Sequence, residues 1–417
     1  MKMKIINIIL GSSILTIGNA YAAGFALIEQ SASGMGNAYA GAAATAEDAS
    51  TIFFNPAGMT YVEGTQAVGA VHFIRPQAEF NDKGSLKAVG FPSLGDEGPD
   101  AGSMAVVPNF YLMTEINPSV KVGVGVNAPF GLKTDYDDEW LGRFQAVKSE
   151  LKTVNINPSI AIKVNDQLSF GFGLSAMWAE AELTRQVNRV VAPESDVKIK
   201  GDDWGFGFNL GAIYQATQDT RLGFAYRSKV TQTLEGDAKF GAALAAANSD
   251  VTAKVDLPES FSASVFSKVN DKWDVMADVT WTRWSRFKEL RIKFDSGVAD
   301  AVTEENWDNT LRYSVGLNYH YSDAIKLRAG LAYDEEAIKD EYRTARIPGN
   351  DRKWVSLGAS YQITQVSKFD IGYSHLFVSD ADIDDNQNTL AKGFNGRLTG
   401  DYEASVDILS LQYTHNF

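Results

Sequence analysis

The sequence predicts an all-β fold, an antiparallel transmembrane barrel of about fourteen strands. Three observations carry that expectation. The chain opens with an export leader, most of it repeats with a period of two, and its connections alternate strictly between short and long. No later segment is apolar for the ~20 residues a spanning helix needs. A membrane role therefore requires strands that satisfy one another's backbone groups in a closed ring.

Residues 1–22 read as the leader. Lys2 and Lys4 supply its positive start, Ile5 to Ile17 its apolar stretch, and Ala20-Tyr21-Ala22 a small-x-small cleavage site. Cleavage there makes Ala23 the mature N-terminus. The 417 residues include no cysteine, so neither a disulfide framework nor thiol chemistry is available. The formal charge is −14, and removing a leader with two lysines and no acid leaves −16. Such acidity argues against a nucleic-acid partner, whose binding needs a basic surface.

Residues 23–64 form a second unit that suits neither a long helix nor strands. Gly34, Gly36 and Gly41 each weaken a helix by about 1 kcal/mol relative to Ala, and Ala38 to Ala46 is too small-chained for a sheet. Small residues let backbones approach closely, which fits packing inside a confined space. A flexible tail is the competing reading. The apolar Ile52-Phe53-Phe54 before Asn55-Pro56-Ala57 favours an ordered unit.

Residues 65–417 carry the strands. Val120, Val122, Val124 and Val126 alternate with Lys121, Gly123, Gly125 and Asn127, and Leu168, Phe170, Phe172 and Leu174 alternate with Ser169, Gly171, Gly173 and Ser175. Trp273, Val275, Ala277, Val279 and Trp281 continue the pattern, which returns at 311–321, 325–333, 355–363 and 369–377. One apolar and one small or charged face marks strands with one side out of water. Short polar turns fall at Asn117-Pro118, Asn165-Asp166, Thr217-Gln218, Asn270-Asp271, Ser322-Asp323 and Thr364-Gln365. Long polar segments lie near 81–103, 131–148, 188–201, 236–250, 294–306, 337–349 and 383–400. Short turns belong to the periplasmic end and long loops to the outside. Asp237 to Asn248 has the composition of a short helix or of a disordered loop tip.

Charge assigns the faces. Asp274, Asp278, Arg312, Lys326, Arg328 and Asp370 lie opposite the apolar side. A charge is costly on the lipid face and tolerated in the lumen. Salt bridges across neighbouring strands account for them better than a substrate path does, since opposite charges on adjacent strands pair readily. Trp178, Trp273, Trp281, Tyr321 and Phe377 fall near strand ends, as interfacial girdles do. The last strand ends with Leu409, Leu411, Tyr413, His415 and Phe417 on one face. That ending resembles the signal read by the barrel assembly machinery.

Catalytic and cofactor patterns are missing. His72, His320, His375 and His415 sit in separate strands without metal-ligand spacing. Gly34-Met35-Gly36 is a fragment of a glycine-rich loop with no preceding strand, and no Gly-x-Ser-x-Gly elbow occurs. No enzyme activity, metal or cofactor is expected.

The run Ser33-Gly34-Met35-Gly36-Asn37-Ala38-Tyr39-Ala40-Gly41, Ala46-Glu47-Asp48-Ala49 and Asn55-Pro56-Ala57 resemble the FadL family of outer-membrane transporters for long-chain fatty acids and other hydrophobic compounds. The start Ala23-Gly24-Phe25, Trp204-Gly205-Phe206-Gly207, Tyr226-Arg227-Ser228 and Leu257-Pro258-Glu259 extend the resemblance along the chain. It implies a fourteen-stranded barrel with the N-terminal unit folded inside as a hatch. It also implies that Ala23, Gly24 and Phe25 close the inner end of an apolar path, and that Asn55, Pro56 and Ala57 anchor the hatch to the wall. Phe130-Gly131-Leu132 resembles an inward kink of the third strand that opens a lateral gap. Arg185 resembles a basic residue at the substrate head group; a salt bridge to Glu182 or Asp196 is its alternative role. A second basic pocket residue of the family has no counterpart evident in the sequence.

The expected function is passive uptake across the Gram-negative outer membrane of a hydrophobic solute, with long-chain fatty acid first and aromatic or aliphatic hydrocarbon second. Outer-membrane lipid, the assembly machinery and the substrate are the expected partners of a monomer. A polar porin, a surface receptor or adhesin, and a barrel-embedded lipid hydrolase are the alternatives. A porin would leave the lumen open, and a hydrolase would need a Ser and a His at one level of the wall.

Overall fold

A computed structural model describes residues 24–91, 93–98 and 100–417. The leader and Ala23 lie outside the described residues. Fourteen barrel strands run in chain order: β1 (Gln66–Asp82), β2 (Ala105–Asn117), β3 (Val120–Asn127, then Gly131–Asp135), β4 (Lys148–Lys163), β5 (Leu168–Val187), β6 (Ser195–Gln215) and β7 (Thr220–Arg227, then Val230–Phe240). They continue through β8 (Ser249–Leu257, then Ser260–Asn270), β9 (Trp273–Thr282, then Glu289–Phe294), β10 (Ala301–Glu304, then Thr310–His320) and β11 (Ile325–Asp334) to β12 (Arg352–Thr364), β13 (Ser367–Val378, then Ala381–Asn386) and β14 (Arg397–Asn416). Each strand pairs antiparallel with its predecessor, and β1 pairs with both β2 and β14, from Gln66 opposite Asn416 to Asp82 opposite Gly400. The ring is closed and leaves no free edge.

The period of two becomes inside against outside. Phe170, Phe172 and Leu174 stand exposed on the outer face, while Gly171 and Gly173 between them and Ser169 and Ser175 on either side are buried. Asp274, Asp278, Arg312, Arg328 and Asp370 are buried on the inner face. The short turns have a local cause. The side-chain oxygens of Asn117, Asn165 and Asn270 accept the amides of Ser119, of Gln167 and Leu168, and of Lys272, so an Asx turn reverses the chain at each place.

The outer loops are shorter than the sequence suggests. β6 begins at Ser195, β7 reaches Phe240, and only Ala242–Ala247 of the Asp237 to Asn248 stretch is helical, as a 3₁₀ turn. The strands outrun the bilayer. Beyond it their outer face needs no apolar residues, so ladders carrying Lys200–Glu180, Lys198–Glu182 and Lys148–Glu182 ion pairs (3.0, 2.8 and 3.1 Å) read as polar loops.

Within the ring lie α1 (Ala32–Met35), α2 (Ala42–Thr45), α3 (Thr51–Phe54) and a 3₁₀ turn at Pro56–Tyr61. They touch strands around the whole circumference. The Ala32 amide donates to Gln412 on β14, the Asn37 amide group to Leu317 O on β10, and the Ala43 amide to Ser264 on β8. Glycines on the inner wall make room. A Cβ at Gly211 would collide with Asn55 Oδ1, and one at Gly330 with the Asn37 carbonyl carbon.

The inner charges pair with the N-terminal unit as well as with one another. Arg328 meets Asp370 at 2.9 Å, bridging from β11 to β13 across β12 rather than between neighbours. Glu47 takes Lys326, Arg328 and Lys368 at 3.1, 2.6 and 3.0 Å. Arg312 donates to the Ala38 carbonyl at 2.8 Å. Among the six charges named from the sequence, the expected ion pairs between adjacent strands give way to these longer-range pairs; Asp274 on β9 is hydrogen-bonded to His320 and Asn318 of β10 at 2.8 and 3.1 Å.

Candidate functional site

Asn55 occupies the junction of α3 and the 3₁₀ turn. Its Oδ1 accepts the Ala57 amide, capping a turn in which Pro56 takes the first position, where no N–H is required. Its Nδ2 donates to Ala43 O at 2.6 Å, to Ala212 O on β6 at 3.0 Å and to Phe224 O on β7 at 3.3 Å. Pro56 and Ala57 lie against Gly171, where a Cβ would collide with the Ala57 nitrogen.

The other end of the unit lies in an aromatic box. Residues 283–288 and 305–309 leave the ladders of β9 and β10 and turn Trp284, Phe287 and Trp307 inward. Phe25 packs among them with ring centroids 4.7, 5.7 and 5.6 Å away, and 6.1 Å from Phe130. Gly24 has positive φ, and a Cβ there would meet Trp284 at 2.6 Å. Its amide donates to Glu336 Oε1 at 3.1 Å. Beside this box the Glu305 carboxyl is buried and accepts the Trp307 indole N–H at 2.8 Å. Burial pushes it up to about 8.

Pairing lapses at the third strand. β2 and β3 are joined from Asn117 opposite Val120 up to Phe110 opposite Val126. Past Ala128-Pro129-Phe130 the second part of β3 pairs with β4, from Gly131 opposite Lys152, and no longer with β2. The N-terminal stretch occupies the vacated edge. Leu27 N donates to Pro129 O at 2.8 Å, and Gly131 N to Phe25 O at 2.9 Å, so residues 25–27 form a two-bond surrogate strand. Leu132 is buried in the apolar cluster that surrounds Phe25.

Behind this edge lies a cavity of about 150 Å³. Leu27, Phe53, Phe54, Phe130, Tyr226 and Trp284 supply apolar walls, and Arg227 and Arg312 bring cations opposite Asp278 and Asp334.

Arg185 does not line that cavity. It points inward near the outer end of β5 and donates to Phe144 O at 3.2 Å. The salt bridges that the sequence offered it are not formed, because Glu182 faces outward to Lys148 and Lys198. A second cation that the sequence did not bring out stands nearby. The 335–351 loop crosses the lumen, where Tyr136 donates its hydroxyl to Ala345 O at 2.7 Å. Arg346 then donates to Lys148 O, Ser149 Oγ, Gln145 O and Thr184 O. Burial, and then the charge of Arg185, lower Arg346 to about 10. Both guanidinium groups are held by neutral oxygens. Among the described residues no group of histidines and acids has the arrangement of a metal site.

Residues 13–417 match the family model described as "Outer membrane protein transport protein (OMPP1/FadL/TodX)". The chain is 30% identical to a long-chain fatty acid transport protein of Escherichia coli O6:H1, over 90% of this chain and 91% of that one. It is 32% identical to outer membrane protein P1 of Haemophilus influenzae, over 87% and 88%. Among solved structures it resembles a Pseudomonas aeruginosa FadL homologue, with a TM-score of 0.87 and 26% identity over 95% of this chain and 100% of that one. The Pseudomonas putida toluene transporter TodX shares the fold, with a TM-score of 0.67 and 16% identity over 88% and 94%.

Proposed function

Because the chain belongs to the OMPP1/FadL/TodX family of outer membrane transport proteins, we propose that it admits hydrophobic solutes, long-chain fatty acids foremost, by passive diffusion. It is an outer-membrane β-barrel. The observation that carries the reading is the lapse of the β2–β3 ladder in front of an apolar cavity. A solute released there enters hydrocarbon directly and never crosses the water-filled periplasmic side. Burial of its surface at about 25 cal/mol per Å² drives capture, and no energy source is needed.

The parts take these roles. Arg185, with Arg346 beside it, holds the ionised head group, since an unpaired carboxylate entering an apolar site loses several kcal/mol of hydration. Gly24 and Phe25 close the path beneath that level, and their withdrawal opens it (Ala23, one residue earlier, belongs to the same device). Asn55, Pro56 and Ala57 keep the rest of the hatch on the wall. Phe130, Gly131 and Leu132 border the exit. The outer-membrane lipid receives the product, the strand ending at Phe417 addresses the assembly machinery, and the barrel acts as a monomer. The reading assigns no catalytic step.

Oleate uptake by cells that lack their own transporter tests it. Expression of this chain should restore uptake, and Arg185→Ala with Arg346→Ala should weaken oleate binding far more than binding of its methyl ester. No gain in uptake overturns the reading. Uptake of a neutral monoaromatic hydrocarbon is the second reading, favoured by one observation: 150 Å³ is the volume of a cavity that takes up benzene. Toluene uptake without oleate uptake would select it.

A further inference from the structure

We propose that Arg227 makes the cavity behind the β2–β3 gap a second carboxylate station, which receives the head group of an alkyl acid after it leaves the Arg185–Arg346 level. This rests on the uptake reading above and adds a step to it.

Arg227 closes the first part of β7 with its side chain on the lumen side, beside Phe53 of the hatch. Its guanidinium carbon sits 4.2 Å from the Phe53 ring centre, and Nη2 donates to Phe53 O at 2.8 Å. Nη1 is buried without a partner. Among the described residues no carboxylate forms an ion pair with it. The cavity's other charges face partners of opposite sign or are hydrogen-bonded. Asp278 is held by Ser264 and Thr280. Arg312 donates Nη2 to the Ala38 carbonyl and leaves Nε and Nη1 buried without a hydrogen bond, but the carboxylate of Asp334 stands opposite it in the β10–β11 ladder.

A half-buried arginine whose Nη1 is out of water and without a counter-ion is a poor stabilising device, since an apolar residue of like volume costs less at such a place. A carboxylate supplies what is missing. One prong of the guanidinium fork is free while the hatch is seated. The other is tied to the hatch itself, so displacement of Phe53 frees both for bidentate capture. Pro129 and Phe130 line the same cavity, so an alkyl tail can enter the β2–β3 gap while its head group stays on Arg227.

The full-length protein in lipid nanodiscs tests this with [1-¹³C]hexanoate, which is short enough for a cavity of this size. Wild type should show a bound carboxyl resonance. Arg227→Met should weaken hexanoate binding roughly tenfold to a hundredfold, the worth of a charge-assisted hydrogen bond. Arg227→Lys should keep most of it, and 1-hexanol should bind all variants alike. The Arg185→Ala, Arg346→Ala protein should retain the hexanoate site and lose oleate binding at the outer one. Heat-modifiable gel migration verifies each barrel. Equal losses of hexanoate and hexanol in Arg227→Met would make Arg227 a strut for Phe53 and overturn the station, as would unchanged hexanoate binding. Failure of the wild type to take up oleate would instead overturn the uptake reading.

Discussion

Asn55→Ala should loosen the hatch without unfolding the barrel. The substitution removes three donated bonds, to Ala43 O, Ala212 O and Phe224 O, and the cap on Ala57 N. Ala212 and Phe224 lie opposite one another in the β6–β7 ladder, so their carbonyls lose only a second partner. The Ala43 carbonyl is left buried, at about 1–3 kcal/mol, and loss of the N-cap bond to the Ala57 amide costs about 1 kcal/mol. The seated hatch thus loses roughly 2–4 kcal/mol, which raises the displaced population by about one and a half to three orders of magnitude. Asn55→Asp discriminates further. It keeps the cap acceptor but turns an anion toward three carbonyl oxygens, so it should loosen the hatch more than the alanine substitution does. Hydrogen exchange at residues 34–46 and single-channel conductance read the two effects. Amides that exchange at the wild-type rate in both variants would refute the reasoning, and so would better protection in Asn55→Asp than in Asn55→Ala.

Two further outcomes follow from the same geometry. A Cβ at Gly131 would stand 2.9 Å from Leu27 Cδ1, so Gly131→Val should crowd the exit and lower oleate uptake severalfold, while the β3–β4 ladder and heat-modifiable migration persist; normal uptake by the folded variant would exclude release at this place. Glu305, raised to about 8 by burial, is neutral at pH 7. Its contribution to the folded state is complete below the ordinary carboxylate range and is lost as pH rises through about 8. Tryptophan fluorescence from the Phe25 box should therefore change between pH 7 and 9, and Glu305→Gln should abolish that change. An identical transition in the Gln variant would place its origin elsewhere.

The ring was legible because lipid imposes one rule on every strand. Residues such as Phe170 and Ser169 obey it locally, and Asn165 announces its turn in the sequence itself. Beyond the bilayer that rule lapses. The Glu180–Lys200 and Glu182–Lys198 rungs are polar on the outer face, so the upper parts of β5 and β6 look like loop. Convergence over distance was less legible still. Trp284 and Trp307 follow strands whose alternation stops, and nothing local says that both turn toward Phe25. Arg346 lies in a polar loop and reaches β4 and β5 only because that loop crosses the lumen. Arg227 did leave a signal: a cation on the inner parity of a strand whose other inner residues include Gly223 and Ala225. Glu47 lay in a run that resembles the family, but its three cationic partners come from β11 and β13.

The two ends of the N-terminal unit are held by different chemistry, and on the proposed reading that difference suits a gate for hydrophobic cargo. Towards the periplasmic side, Glu47, Asp48 and Asn55 fix it with ion pairs and hydrogen bonds that an apolar solute cannot imitate. At the opposite end, the Phe25 side chain is held by aromatic contact, and the backbone beside it by the strand-like bonds at Pro129 and Gly131 and the Gly24 amide's bond to Glu336. An aromatic side chain buries about 150–250 Å², so leaving the box costs about 4–6 kcal/mol of transfer free energy at most. A solute that buries as much apolar surface in the same box repays that cost, whereas a sugar or an ion does not. On the proposed reading, selectivity lies in this exchange. Replacing Phe25 with Ala should then admit polar solutes, while a Trp there should exclude all but the longest chains. Equal permeability of the two variants to a small polar solute would show that Phe25 does not guard the path.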